Sequence, residues 1–119
     1  YTTFDYSNLR AVPPKGTSSV AAFELDITNS GDVFGKEVVQ SYVKVSESKI
    51  DRPIKELKKF EKVSLEPGES KKITFELTER DLSFWSETNQ SWQVEPAEYI
   101  FEVGASAIDI RESTSVWLG

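Results

Sequence analysis

Carboxylates are the only side chains in this sequence with an obvious capacity for acid–base catalysis. The 119 residues include 20 Asp and Glu but no His, Cys or Met. This composition excludes Ser-His and Cys-His nucleophile pairs, thiolate chemistry, and zinc or copper sites built from nitrogen and sulfur ligands. What remains is a carboxylate pair of the glycosidase kind, in which one carboxyl group is protonated and the other is ionised.

Several acidic residues lie in or beside predicted loops and are candidates for such a pair. They are Asp51, Glu56, Asp81, Glu87 and Glu95. No spacing singles out two of them, and small β domains commonly carry carboxylates as ordinary surface charge. We therefore predict no catalytic residue, because function must be argued from a site.

One stretch has the ligand spacing of a calcium-binding EF-hand loop. Counted from Asp26, oxygen-bearing side chains fall at positions 1, 3, 5 and 7, Gly31 falls at position 6 and Glu37 at position 12. An EF-hand loop lies between two helices, whereas the flanking residues here alternate like strands. We therefore expect no metal site, and nothing in the sequence indicates a cofactor.

Charge and hydropathy restrict the partners. The 14 basic residues are outnumbered by the acidic ones, and the formal net charge is −6. Such a surface disfavours nucleic acid, whose affinity depends on neutralising phosphates. No run of about 18 apolar residues is present, so no membrane-spanning helix is expected. The lack of cysteine does not fix the compartment, and localisation stays open.

Alternating apolar residues predict the elements that position these side chains. Strands are predicted over 19–28, 37–45, 58–65 and 70–77, with Tyr99, Phe101 and Val103 marking a later one. Residues 46–57 form a polar connection interrupted by Pro53. Glu66–Glu69 predicts a tight turn and Thr78–Asp81 a capped helical turn. Seven to nine short strands without a long helix indicate an all-β sandwich or barrel.

The tryptophans allow two interpretations. Trp85 and Trp92 flank a polar stretch, which predicts a hairpin. An indole face packs well against the apolar face of a pyranose ring, so exposed tryptophans could bind sugars. Trp is nevertheless mostly buried in proteins, and we expect these two to pack within the domain or against a neighbouring one.

Six ordered segments carry a family resemblance. They are 29–32 (NSGD), 37–43 (EVVQSYV), 52–60 (RPIKELKKF), 65–70 (LEPGES), 81–85 (DLSFW) and 94–99 (VEPAEY). In this order they resemble the C-terminal fibronectin type III-like domain of glycoside hydrolase family 3 enzymes, over nearly the whole chain. The chain departs from that pattern at Lys59 and Ala97, where glycine is usual, and at Ser41, where a bulky apolar residue is common.

The resemblance implies an immunoglobulin-like antiparallel β-sandwich of about seven strands that is not itself catalytic. In that family the nucleophile and the acid/base residue belong to other domains, and the parents are mostly retaining β-glucosidases or β-xylosidases. We therefore expect residues 1–119 to be one domain of a longer multidomain chain, monomeric as a fragment. Its expected role is to pack against the catalytic domains of the same polypeptide. The alternative is an immunoglobulin-like module that binds carbohydrate or a cell surface.

The connection over 46–57 is the best candidate for a docking surface. It is long, polar and interrupted by proline. Such a segment is a poor core element, but it can form a partly rigid surface against which another domain docks. Together with the strand that leads into it, it predicts a set of inter-domain contact residues. They are Gln40, Tyr42, Arg52, Lys55, Leu57 and Trp85.

Overall fold

The computed structural model describes residues 2–49 and 55–118, and most of them lie in two antiparallel sheets. The first sheet has the order β1-β2-β5 and the second the order β4-β3-β8-β9. The strands are β1 (Phe4–Val12), β2 (Ser19–Asn29), β3 (Gly35–Val45), β4 (Glu56–Leu65), β5 (Ser70–Thr78), β8 (Ala97–Ser106) and β9 (Asp109–Leu118). Between β5 and β8 lie a helical turn, α1 (Glu79–Leu82), and a hairpin of β6 (Ser83–Ser86) and β7 (Ser91–Val94). The predicted all-β antiparallel sandwich is confirmed.

The core fills the space between the two sheets. Alternating residues of β2 and β5 point inward from one sheet, including Phe23, Leu25 and Phe75, and all three are buried. The Phe23 ring meets Phe101 of the opposite sheet with centroids 4.3 Å apart and lies 6.1 Å from the ring of Phe75. The alternation in the sequence therefore identified the core faces of these strands.

A buried asparagine organises one end of the sandwich. Asn29 is fully buried, and its amide nitrogen donates to the carbonyls of Val33 and Leu65, each at 2.9 Å. Its side-chain oxygen accepts from the Thr2 hydroxyl at 2.6 Å and from the Gly31 backbone N–H at 3.0 Å. Asn29, which lies within the EF-hand-like stretch, therefore uses its side chain to close the β2–β3 loop.

A buried tyrosine fixes the opposite end. The Tyr99 hydroxyl donates to the Glu95 carbonyl at 2.8 Å, four residues upstream, which is the arrangement of a tyrosine corner. The Glu95 carboxylate accepts from the Ser48 hydroxyl at 2.7 Å and the Lys49 N–H at 2.8 Å. Ala97 is not among the described residues with positive φ, so its replacement of a usual glycine introduces no backbone strain.

One long side of the sandwich is closed by β1 and β9, which belong to different sheets. The Arg111 guanidinium donates to the Phe4 carbonyl at 3.2 Å, and the Leu9 N–H donates to the Glu112 carboxylate at 3.5 Å. The Tyr6 hydroxyl donates to Glu37 of β3 at 3.1 Å. Burial raises the pKa of Tyr6 well above its ordinary value, and Glu37 raises it further, so the hydroxyl remains a donor.

Local structure agrees with the sequence at the turns and differs in β1 and β3. Thr78 and Asp81 form the expected capping box, each side chain accepting from the other's backbone N–H, and Gly68 has a φ of 79° in the predicted tight turn. β1 was not predicted, because Asn8 with a φ of 58° interrupts its alternation. Ser41 places a hydroxyl in the interior, where the described residues offer it no hydrogen-bond partner.

Replacing Phe75 with alanine should lower the free energy of unfolding by about 3 to 5 kcal/mol, because the variant leaves a cavity between the sheets. Urea unfolding of the chain followed by circular dichroism measures this loss. The matched control is Phe60→Ala, which removes an exposed ring from β4 and should change stability by less than about 0.5 kcal/mol. A Phe75→Ala chain as stable as the parent would contradict this core.

Candidate functional site

The outer face of the four-stranded sheet gathers most of the predicted contact residues. Gln40 lies opposite Phe60 in the β3–β4 register, and Tyr42 lies opposite Leu57. On the other side of β3, Tyr42 is paired with Glu102 of β8. Residues paired across neighbouring strands project to the same face of a sheet. We call this surface, with Lys44 and Lys55, the sheet face.

Tyr42 forms the base of the sheet face and does not project from it. Its side chain points away from the core, yet the residue is only 8% exposed. The Lys55 ammonium lies 5.7 Å from the centre of its ring, and its hydroxyl donates to the Gln40 side-chain oxygen. The Gln40 amide nitrogen in turn donates to the Ala105 carbonyl at 3.1 Å. Tyr42 and Gln40 therefore tie β3 to the end of β8.

A nearly buried carboxylate orders the lysines of the sheet face. Glu102 pairs through one oxygen with Lys55 at 3.0 Å and through the other with Lys44 at 3.3 Å. Lys55 also donates to the Ala107 carbonyl at 3.0 Å. Burial alone would raise the pKa of Glu102, but the hydrogen bonds from Lys55 and Lys44 outweigh it and hold the pKa below its ordinary value of 4.5. Glu102 is therefore ionised at neutral pH.

Exposed apolar side chains stand beside this ordered polar centre. Leu57 is 50% exposed and Phe60 is 60% exposed, both on the edge strand β4, and Val38 of β3 is also exposed. The outer face of the three-stranded sheet is different, since it carries polar pairs such as Arg10 with Glu24 at 2.6 Å. The two outer faces of the sandwich are thus chemically unequal.

The structure brings together four of the six predicted contact residues: Gln40, Tyr42, Lys55 and Leu57. Arg52 lies outside the described residues, and Trp85 lies on the separate β6–β7 hairpin. Sequence reasoning missed Phe60 and Glu102. Phe60 could have been found by pairing β3 with β4 in register, whereas the place of Glu102 depends on long-range contacts with the lysines.

The β6–β7 hairpin carries a second cluster of exposed aromatic side chains. Trp85 is 42% exposed and Trp92 is 45% exposed. They form a cross-strand pair whose rings meet edge to face with centroids 5.6 Å apart. The Arg80 guanidinium lies 3.7 Å from the centre of the Trp92 ring. Their exposure excludes the first of the two expected arrangements, burial within the domain, whereas packing against a neighbouring domain stays a prediction.

An open groove of about 220 Å³ adjoins the hairpin. It is lined by Val20, Glu79, Val94 and Leu118. Val94 follows Trp92 by two residues on β7, so the two side chains lie on the same face of the hairpin. The groove therefore has aliphatic walls and one carboxylate, and it shares Val94 with the strand that carries Trp92.

The acidic candidates for catalysis occupy structural positions where the structure describes them. Glu56 forms an ion pair with Lys58 at 3.5 Å. The Glu95 carboxylate accepts hydrogen bonds from the Ser48 hydroxyl and the Lys49 backbone N–H. Burial would raise the pKa of Asp81, but its bonds to Thr78 and Lys59 lower it, which is the reverse of what a general acid needs. Glu87 is exposed in the hairpin turn, and Asp51 lies outside the described residues.

The described residues contain neither a cluster of metal-binding side chains nor a membrane-spanning helix. Residues 2–49 and 55–118 contain no group of three or more acidic side chains placed to share a metal ion. Over the same ranges, no helix has the length and apolar character needed to cross a bilayer.

Comparison with known proteins gives a consistent family. The family model that describes the fibronectin type III-like domain matches residues 37–107 of this sequence. An exo-α-(1→6)-L-arabinopyranosidase of Bifidobacterium breve is 42% identical over 99% of this chain, and a β-glucosidase of Kluyveromyces marxianus is 46% identical over 92% of it. The chain spans only 15% and 13% of these two relatives.

Solved structures give the same result. The crystal structure of a glycoside hydrolase family 3 β-glucosidase from Bifidobacterium adolescentis matches with a TM-score of 0.90 and 41% identity. The match covers 99% of this chain and 17% of that enzyme. A β-D-glucoside glucohydrolase from Trichoderma reesei also matches with a TM-score of 0.90, at 36% identity over 100% of this chain and 19% of that enzyme.

Replacing Glu102 with glutamine should destabilise the chain by about 1 kcal/mol at pH 7, because two partly buried ammonium groups lose their counter-charge. The depressed pKa means that the contribution of Glu102 is present above pH 4.5 and is lost as the pH falls through the folded-state value. The difference between wild type and Glu102→Gln should therefore disappear at acidic pH.

Urea unfolding at about pH 7, 5 and 3 measures this dependence, because these pH values lie on both sides of the ordinary Glu pKa of 4.5. Glu98→Gln is the matched control, since Glu98 lies on the same strand outside the ion pairs with Lys44 and Lys55. A difference between wild type and Glu102→Gln that stays constant with pH would contradict the assigned ion pairs.

Proposed function

The chain belongs to the fibronectin type III-like domain family and corresponds to a small domain of glycoside hydrolase family 3 enzymes; on this basis we propose that it is a non-catalytic accessory domain. In this proposal residues 1–119 form one domain of a longer polypeptide and stabilise its catalytic domains by packing against them. The parent would be a retaining glycosidase of the β-glucosidase type. The single observation that carries the docking role is the chemical inequality of the two outer sheet faces.

The sheet face has the composition of a contact between domains. Contacts between domains of one chain typically bury about 600 to 1,500 Å² and mix polar with apolar groups. Leu57 and Phe60 provide apolar area, and covering a side chain of this size contributes about 1.5 to 3 kcal/mol. The Glu102 ion pairs fix Lys44 and Lys55 beside them. A partner would thus meet lysines whose positions are already restricted, which reduces the entropy lost on contact.

Tyr42 and Gln40 contribute to this proposal indirectly. Because Tyr42 is covered, it supports Lys55 from below, while Gln40 ties β3 to the end of β8. The exposed part of the contact is then Leu57, Phe60 and the lysines. Arg52 remains a proposed member of the same surface from its place in the sequence, and Trp85 belongs to a different surface.

The proposal that this chain is not catalytic is supported by the structural contacts of its candidate carboxylates. Glu56, Asp81 and Glu95 each hold a structural partner, so none is free to act as a nucleophile or general acid. The small share of each relative that this chain covers supports placing the catalytic groups elsewhere in the parent.

The double variant Leu57→Ser/Phe60→Ser should destabilise the full-length parent and leave the isolated chain unchanged. In the parent, the variant would remove apolar area that we propose is covered, at a cost of about 2 to 4 kcal/mol. In the isolated chain both side chains are already exposed to water. Differential scanning calorimetry of both proteins, with and without the substitutions, makes the comparison.

Phe34→Ser is the matched control for this experiment, because Phe34 is an exposed phenylalanine in the β2–β3 loop, away from the sheet face. It should leave both proteins unchanged. Equal losses in the parent and the isolated chain, or no loss in the parent, would refute docking through the sheet face.

The isolated chain should hydrolyse neither aryl β-glucosides nor aryl β-xylosides, because the candidate acids Glu56, Asp81 and Glu95 are engaged in structural contacts and the chain spans only a small share of its relatives. Release of nitrophenol above the buffer rate is the measurement. The proposal fails if the purified chain turns over substrate and if Glu87→Gln or Asp51→Asn, at the two candidate acids without a described partner, abolishes that turnover.

A further inference from the structure

The β6–β7 hairpin is an addition to the sandwich whose exposed aromatic surface the core does not explain. The core cluster is formed by the two main sheets with Leu82 of α1, and Val94 at the base of the hairpin packs against it. Trp85 and Trp92 lie outside that cluster and leave more than two-fifths of their surface in water. Tryptophan is highly buried on average, so two exposed indoles on one hairpin indicate a surface that binds a ligand or a partner.

These indoles are held in fixed positions before anything binds. The edge-to-face contact fixes the two rings relative to each other, and the Arg80 guanidinium stacks on Trp92. The turn that joins the strands is closed by the Asn89 N–H donating to the Ser86 hydroxyl and by the Gln90 amide donating to the Glu87 carbonyl. A rigid aromatic surface loses little entropy when a ligand covers it.

The surroundings of the pair point to an amphipathic, uncharged ligand. The turn between the strands consists of polar residues 87–90 and does not extend the apolar area. The groove combines the aliphatic walls of Val94 and Leu118 with the Glu79 carboxylate, and it is linked to the pair because Val94 shares β7 with Trp92 and Glu79 precedes Arg80. Among the described residues, Glu79 has neither an ion-pair nor a hydrogen-bond partner. A net charge of −6 disfavours polyanions.

From this geometry we infer that the hairpin and its groove form a binding site for neutral oligosaccharides built from equatorially substituted pyranoses. Such a ring presents C–H groups on its faces and hydroxyls around its rim. An indole stacks on one face of the sugar, and the Glu79 carboxylate accepts hydrogen bonds from a pair of neighbouring hydroxyls. The site does not depend on the sheet face.

Cellohexaose titrated into the isolated chain tests the inference. Isothermal titration calorimetry should detect binding, and Trp85→Ala, Trp92→Ala and Glu79→Gln should each weaken the affinity by at least about tenfold. Trp117→Ala is the matched control and should retain wild-type affinity, because Trp117 is an exposed indole on the opposite face of β9 from the groove residue Leu118. Circular dichroism checks that each variant remains folded, and Glu79→Gln preserves side-chain shape.

Fluorescence gives a second, independent measurement. The chain contains three tryptophans, so in Trp117→Phe the emission excited at a wavelength that tyrosine does not absorb comes only from Trp85 and Trp92. Saturating cellohexaose should change that emission, and maltohexaose, whose α-linkages curve the chain, should change it less. No binding by the wild-type chain, or an equal loss of affinity in Trp117→Ala, would overturn the inference. So would a Trp85→Ala effect confined to the melting temperature of the full-length parent, which would identify a contact between domains.

Discussion

The contact of Phe23 with Phe101 across the two sheets is the constraint on which the remaining architecture depends. It requires the inner faces of β2 and β8 to stay dry, and because side chains alternate along a strand, it also decides which residues of every paired strand face water. A slip of one residue in β3 would exchange Val39 for Gln40 in the core. The composition of the sheet face is therefore a consequence of how the core is packed.

Much of the fold was predictable because its information is local. The alternation of β2 and β5, the Pro-Gly turn before β5 and the capping box at Thr78 each depend on residues close in sequence. β1 was missed because a residue with positive φ interrupts its pattern. β9 was not predicted, because most of that strand is polar and its place is fixed by pairing with β8.

The candidate surfaces were predicted less completely, for a physical reason. Gln40 and Tyr42 alternate with the buried Val39 and Val43 and so point away from the core, but exposure depends on what else covers a face. Tyr42 is covered by Lys55, which is itself fixed by Glu102, and these contacts join residues far apart in the chain. Trp85 and Trp92 were predicted to form a hairpin, and their exposure could be learned only from the position of that hairpin relative to the sheets.

The closure of one side of the sandwich by β1 and β9 has a mechanical consequence. The Arg111 guanidinium, near the start of β9, contacts the Phe4 carbonyl at the start of β1, so the two strands begin at the same end and Phe4 and Leu118 lie toward opposite ends of the body. A tensile load applied through these two residues would shear β1 against β2 and β9 against β8, loading their ladder hydrogen bonds together instead of one after another. The cross-links from Arg111 and Glu112 would share that load, so the domain should behave as a stiff spacer under extension.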